Sequence, residues 1–284
     1  MRLTQTRGAM MLVVASALWG SSFVVIKQVS PSMPASAVCL ARFAIAAIVL
    51  LAFLRTDTKT WRFGVELGIW LFAGYATQAV ALRYTTVNRC AFITAMYVVL
   101  TPMLSAISGT KVRGIVWSAA ILALVGCGLM CAQSGGPNAG DFWSLGTAIT
   151  WAVYIYRMEH AAKFAAMPLA VAQLVPITFF SGVWFVAAPA HISNFHWPLL
   201  LYLGLACTAA TTLLQATAQQ VVPAPQAAVI FSLDPVFAAI FGFVFLGEGM
   251  QLRELVGAIL IIGAAFLCQA PGTRLASGAA NSSG

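Results

Sequence analysis

The chain has 284 residues, 61% of them hydrophobic and only 8% charged, against about 25% charged in a soluble chain. So few charges cannot cover a water-facing surface, which excludes a soluble globular enzyme and makes lipid the main solvent. The formal net charge is +8, but the basic residues are spread over short loops, a pattern of membrane orientation rather than nucleic-acid binding.

A spanning helix needs roughly 20 apolar residues. Breakers and charges divide the chain into ten such runs, at 8–28, 34–54, 65–83, 88–108, 113–133, 141–161, 168–188, 198–219, 225–246 and 251–270. Residues 1–7 form a short N-terminal segment with Arg2 and Arg7, and the run that follows is too long for the core of a cleaved signal peptide. Ser30-Pro31 with Pro34, Gly135-Gly136-Pro137 and Pro223-Ala224-Pro225 mark turns between runs. The tail, 271–284, is small and polar and is expected to be disordered.

With the N-terminus in the cytoplasm, inner segments carry Arg2, Arg7, Arg55, Lys59, Arg62, Lys111, Arg113, Arg157, Lys163 and Arg274, and outer segments carry Lys27, Arg83, Arg89 and Arg253. That bias predicts a multi-pass protein of a cell inner (plasma) membrane with both termini cytoplasmic. The connection around Arg83 and Arg89 runs against it.

An internal repeat relates residues 8–133 to 141–270. Ala17-Leu18-Trp19 matches Ile149-Thr150-Trp151, and Met33-Pro34-Ala35 matches Met167-Pro168-Leu169. Leu100-Thr101-Pro102 matches Leu233-Asp234-Pro235, and Gly126 with Cys131 matches Gly263 with Cys268. Five spans per half is an odd number, so the second half enters from the opposite side. The fold class is therefore an all-α transmembrane protein, ten helices in two inverted five-helix repeats around a central cavity, an arrangement typical of secondary transporters.

Asp234 is the sharpest chemical signal. It falls near the middle of the ninth span, where an ionisable group costs at least roughly 2.5–3.5 kcal/mol. It therefore faces a watery cavity, finds a partner on a neighbouring helix, or stays protonated. Pro235 follows and frees a carbonyl about one turn earlier, near Phe231. Thr101 and Pro102 hold the matching place in the first half, so a kink is expected at both prolines. Polar or aromatic faces recur at helical spacing: Trp19 with Ser22, Tyr75 with Gln78, Thr94 and Tyr97 with Thr101, Trp151 with Tyr154, and Thr208, Thr212, Gln215 and Gln219. Each stripe is either a cavity wall or an interhelical hydrogen-bonding face.

Arg42, some eight residues into the second span, reads as snorkelling or bonded to a carbonyl, or else as counter-ion to an anionic solute. Glu66, Glu159, Glu248 and Glu254 lie near span ends, where a solvated carboxylate is ordinary. His191 and His196 belong to an outer connection. Cys127 and Cys131 share a helix face, but no histidine or acid accompanies them, so no metal site is expected and the six cysteines read as small packing residues. Nucleophile, phosphate-loop and metalloprotease motifs are absent, so neither enzymatic activity nor a cofactor is expected.

Several stretches resemble the drug/metabolite transporter superfamily, EamA-type branch. They are Ala17-Leu18-Trp19-Gly20-Ser21-Ser22-Phe23, Ala41-Arg42-Phe43, Arg83-Tyr84-Thr85-Thr86, Ala91-Phe92-Ile93-Thr94 through Thr101-Pro102, and Ser232-Leu233-Asp234-Pro235-Val236-Phe237-Ala238-Ala239 with Leu246-Gly247-Glu248. The similarity runs from about residue 8 to 270. It implies alternating-access movement of small metabolites, often amino acids or related compounds leaving the cell. Two departures stand out: relatives commonly carry Glu where Asp234 stands, and Ser108-Gly109-Thr110-Lys111 replaces the Leu-Gly-Glu turn in the first half.

The sequence thus points to a permease for a small amphipathic solute, with proton coupling or capture of a substrate ammonium at Asp234. Its substrate cavity is expected to draw on Trp19, Ser22, Tyr75, Gln78, Tyr97, Thr101, Trp151, Tyr154, Thr212, Gln215 and Asp234. Its other partner is the lipid bilayer, and it is expected to be a monomer or weak oligomer. The alternatives are an intramembrane lipid-modifying enzyme and a non-transporting membrane sensor.

Overall fold

Inside a bilayer each backbone N–H and C=O must find its partner within the protein, which leaves the helix as the simplest spanning element. The computed structural model describes residues 3–53, 57–85, 87–131, 136–188, 191–247 and 249–269, and every regular element among them is helical. In chain order these are α1 (Gln5–Val29), α2 (Ala35–Leu51), α3 (Thr58–Ala81), α4 (Val87–Thr94), α5 (Tyr97–Ile107), α6 (Gly114–Cys131) and α7 (Ala139–His160). Then come α8 (Ala166–Ala187), α9 (Trp197–Gly204), a π-helical segment (Leu205–Ala210), α10 (Thr211–Ala218), α11 (Ala224–Phe231), α12 (Asp234–Leu246) and α13 (Leu252–Cys268). Six stretches are long and apolar enough to cross a membrane: Gln5–Val29, Arg89–Ile107, Gly114–Cys131, Ala166–Ala187, Trp197–Ala218 and Ala224–Leu246. The shorter Ala35–Leu51 is also apolar. The C-terminal tail, Glu248, Arg2, Arg55 and Arg274 lie outside the described residues.

Local chemistry sets the helix ends. Thr4 caps α1, and Asp57 caps α3 by accepting from Thr60 N at 2.8 Å. The Thr60 hydroxyl and N–H hold the exposed Asp57 carboxyl below the ordinary Asp range. This cap starts α3 at Thr58, well before the expected 65, because the amphipathic Lys59–Phe63 turn joins the helix. Reciprocal capping boxes open α7 (Asn138, Asp141) and α13 (Gln251, Glu254). Two turns need glycine: Gly109 and Gly247 have φ of +86° and +68°, and each follows the end of a helix, α5 and α12.

Three of the expected continuous spans are interrupted. The 225–246 run breaks at Ser232 and Leu233, directly before Asp234-Pro235, with Pro235 in the first turn of α12, where its missing N–H costs nothing. The 88–108 run breaks at Ala95 and Met96, while Pro102 lies inside α5. Ala95 and Ser232 are 137 positions apart, as are Tyr97, the first residue of α5, and Asp234, the first residue of α12. The sequence match pairs Thr101, one helical turn further on, with Asp234. The 198–219 run is broken by the π-helical segment.

Side chains are distributed as lipid demands. Ile48, Ile107, Phe142, Phe179, Val186, Phe243, Phe245 and Phe266 face outward, whereas Ser16, Thr101, Ser144, Thr147, Gln173, Thr211 and Gln215 are fully buried. Small residues let helices close up. The most extensive pairing joins α6 to α13, where Gly126 and Gly257 face each other so closely that a Cβ on Gly126 would come within 2.7 Å of the Gly257 carbonyl. A Cβ on Gly263, by contrast, would meet nothing within 4 Å.

Gly126→Val is therefore expected to cost about 1–3 kcal/mol through overpacking, read as a lower unfolding midpoint of the detergent-purified protein. Gly263→Ala is expected to unfold no earlier than wild type. Equal midpoints for Gly126→Val and wild type would contradict this account of the α6–α13 contact.

Candidate functional site

A cation inside the helical bundle fixes the site. Arg42 lies in the middle of α2 and is only 3% exposed. The snorkelling alternative is therefore overturned, and the carbonyl-bonded one holds. Nε donates to Thr208 Oγ1 at 3.0 Å, and Nη2 donates to the Cys207 carbonyl at 3.2 Å. The rings of Phe43 and Tyr75 lie 5.3 and 5.4 Å from the guanidinium carbon, within cation–π range. Both polar partners belong to the π-helical segment, a distortion often found at functional sites. Thr208 Oγ1 in turn donates to the Leu203 carbonyl five residues back, at 2.7 Å. Gly204 lets α2 approach, since a Cβ there would collide with Ile45 and come within 3.2 Å of the Arg42 carbonyl.

Around this cation α1, α2, α3, α7, the π segment and α10 converge on a narrow cavity lined by Trp19, Arg42, Phe43, Leu71, Tyr75, Tyr154, Cys207, Thr208, Thr211, Thr212 and Gln215. It has room for about one water molecule. A metabolite would need the helices to part. Of the residues expected to form a cavity, Trp19, Tyr75, Tyr154, Thr212 and Gln215 meet here. Trp151 stands behind them, edge-on to Tyr75 at 5.6 Å and to Tyr154 at 5.8 Å. Phe43 continues the aromatic array, 5.2 Å from Tyr75.

The other expected residues lie elsewhere. Ser22 donates to the Trp19 carbonyl at 2.6 Å within α1. Gln78 is half-buried beyond the cavity lining. Thr101 is fully buried and donates to the Tyr97 carbonyl at 2.7 Å. Asp234 forms a second polar locus, in the first turn of α12 and outside this lining. The Ser16 hydroxyl on α1 donates to the Ile230 carbonyl at 3.4 Å, one turn before Asp234, whose Oδ1 is buried and has no partner among the described residues.

One arm of the cavity wall continues into a hydrogen-bonded network. The Tyr154 hydroxyl donates to Gln173 Oε1 at 2.9 Å. Gln215 Nε2 donates to Gln219 Oε1 at 2.9 Å, and Gln219 Nε2 to the Ile155 carbonyl at 3.0 Å. The Gln215–Gln219 half of the α10 stripe thus serves interhelical bonding. Gln173 was invisible in the sequence because it stands alone in an apolar run of α8.

Two bidentate ion pairs lie at opposite ends of α7. Arg89 reaches Asp141 with both bonds at 2.6 Å, and Arg157 reaches Glu66 at 2.6 and 2.7 Å. Glu159 accepts from Ala224 N at 2.9 Å, at the start of α11. Glu66 and Glu159 are thus engaged rather than merely solvated.

The profile of the EamA-like transporter family matches the chain twice, over residues 6–132 and 138–268, so the chain belongs to that family and carries its domain in duplicate. An uncharacterized transporter of Archaeoglobus fulgidus is 33% identical over 259 residues, covering 88% of this chain and 82% of that protein. The threonine/homoserine exporter RhtA of Salmonella typhimurium is 25% identical over 268 residues, covering 90% and 88%. The fold overlays a crystal structure with a TM-score of 0.80 at 16% identity, covering 93% of this chain and 96% of that one. The protein is a multi-pass membrane protein of a transporter family.

Tyr154→Phe leaves the buried Gln173 amide without its donor, and Gln173 Nε2 already has no partner among the described residues. The expected cost is about 1–3 kcal/mol of stability, measured as a lower unfolding midpoint in detergent. An unchanged midpoint would show that the Tyr154–Gln173 bond is not made.

Proposed function

We propose that this member of the EamA-like transporter family is a secondary carrier that moves a small amphipathic metabolite, such as an amino acid, across an inner membrane by alternating access. The observation that carries the reading is the cavity itself. A polar and aromatic pocket enclosed by apolar helices has no use in a passive anchor, and it holds no nucleophile–base pair for lipid chemistry. The kinship with a threonine/homoserine exporter favours small amino acids and outward movement.

The architecture in this reading is ten spanning helices in two inverted five-helix repeats. The duplicated family domain supports it. So do the paired helix interruptions at 95–96 and 232–233 and the left-handed glycines at the ends of α5 and α12. Both termini are cytoplasmic.

In the transport cycle Asp234 opens or closes the path by taking up a proton, or holds the ammonium of the solute. Its place in the first turn of α12 suits a carboxylate, because the helix dipole favours negative charge there. Asp234→Asn, reconstituted in proteoliposomes and assayed against a panel of amino acids and metabolites, is expected to slow flux by about tenfold or more and to flatten its pH dependence. Wild-type rate and pH profile in this variant would overturn the role of Asp234. A wild-type protein that moves nothing in the panel would overturn the carrier reading.

A further inference from the structure

Resting on that carrier reading, and deepening it to the part of the solute that is recognised, we infer that Arg42 is the anchor for a carboxylate: the cavity takes a solute with a single anionic carboxylate, which lies against the guanidinium and between the rings of Trp19 and Tyr75.

Four observations lead there. Arg42 is buried, yet it forms no ion pair among the described residues, and its polar partners are one hydroxyl and one backbone carbonyl. A guanidinium has five N–H donors and carries its charge at any physiological pH, so two neutral acceptors leave both donors and charge uncompensated. Arg42 also lines the cavity, so a group entering that space meets it directly. Finally, no other basic residue lines the space, which matches one negative charge rather than the two of a phosphate monoester.

Carboxylates elsewhere on the helices do not supply the counter-charge. Glu66, Asp141 and Glu159 have partners at the ends of α7. Asp234 belongs to the neighbouring locus and does not line this cavity. The vacant counter-charge is therefore left for the solute to supply. Guanidinium and carboxylate match as two parallel N–H···O bonds, and the surrounding rings suit the apolar remainder of a small amphipathic molecule.

The test uses the full chain purified in detergent, with tryptophan fluorescence as the binding signal, because Trp19 lines the cavity and Trp151 stands behind it. The probes are the protein amino acids and their primary amides, which keep the ammonium and side chain and lose the carboxylate charge. Wild type is expected to bind at least one amino acid about tenfold or more tightly than its amide, the loss expected when a charge-assisted contact becomes a neutral one. Arg42→Gln is expected to shrink that preference to about twofold or less. Arg42→Lys, which keeps the charge but not the fork, is expected to fall between.

Amides bound as well as acids, a preference that survives Arg42→Gln, or no binding of any amino acid would each overturn the inference. If Arg42→Gln does not fold, the acid–amide comparison on wild type and Arg42→Lys decides alone. Acids bound with the expected preference, but not moved across proteoliposomes, would sink the carrier reading and leave the carboxylate anchor standing.

Discussion

A guanidinium inside a bilayer must be solvated by something, and most of the architecture around Arg42 answers that need. An arginine at the centre of a spanning helix costs at least roughly 2.5–3.5 kcal/mol even on the mildest scale, and more once it is walled off from snorkelling. Here a π-helical segment brings a carbonyl and the Thr208 hydroxyl to the charge, and Gly204 removes the side chain that would hold α2 away. Phe43 and Tyr75 add two ring faces, each contributing about 0.5–2 kcal/mol. These groups solvate the cation but, among the described residues, do not neutralise it.

The remaining polar groups extend from that centre. Tyr154 joins the cavity wall to Gln173 on α8, and Gln219 joins α10 to the α7 backbone, so three helices share a hydrogen-bonded layer deep in an apolar bundle. α7 runs through it as a column and is clamped at each end by a bidentate ion pair to α4 or α3. In an alternating-access cycle such paired contacts are suited to being broken on one side while the other holds. Closure to the size of about one water molecule is what a state between the two open ones requires.

The sequence disclosed these features unevenly. Apolar runs long enough to span were legible because lipid leaves a compositional mark, and the break before Asp234 was legible because proline lacks an N–H. The break at Ala95 and Met96 has no proline or glycine beside it, so no local residue announces it. Leu205–Ala210 has no composition that marks a π segment, since its partner, Arg42, is more than 160 positions away. Trp19, Tyr75, Tyr154, Thr212 and Gln215 were found through helical spacing. Arg42 was left between alternatives because one sequence cannot show whether a charged tip reaches the interface or turns inward. The Glu66–Arg157 and Arg89–Asp141 pairs join residues 91 and 52 apart, and no local pattern announces them.

The family domain occurs twice in the chain, and the interrupted helices of the two copies resume on different chemistry: α5 begins on the phenol of Tyr97, α12 on the carboxyl of Asp234. In the proposed carrier the cavity opens to each side of the membrane in turn. Side-specific labelling tests this most directly, with Thr212→Cys placed in the cavity of a chain whose native cysteines are replaced and a membrane-impermeant thiol reagent applied to either face of oriented vesicles. Alternating access predicts labelling from both faces, with bound solute changing the two rates in opposite directions. Labelling from one face only, or from neither whatever solute is present, would contradict it.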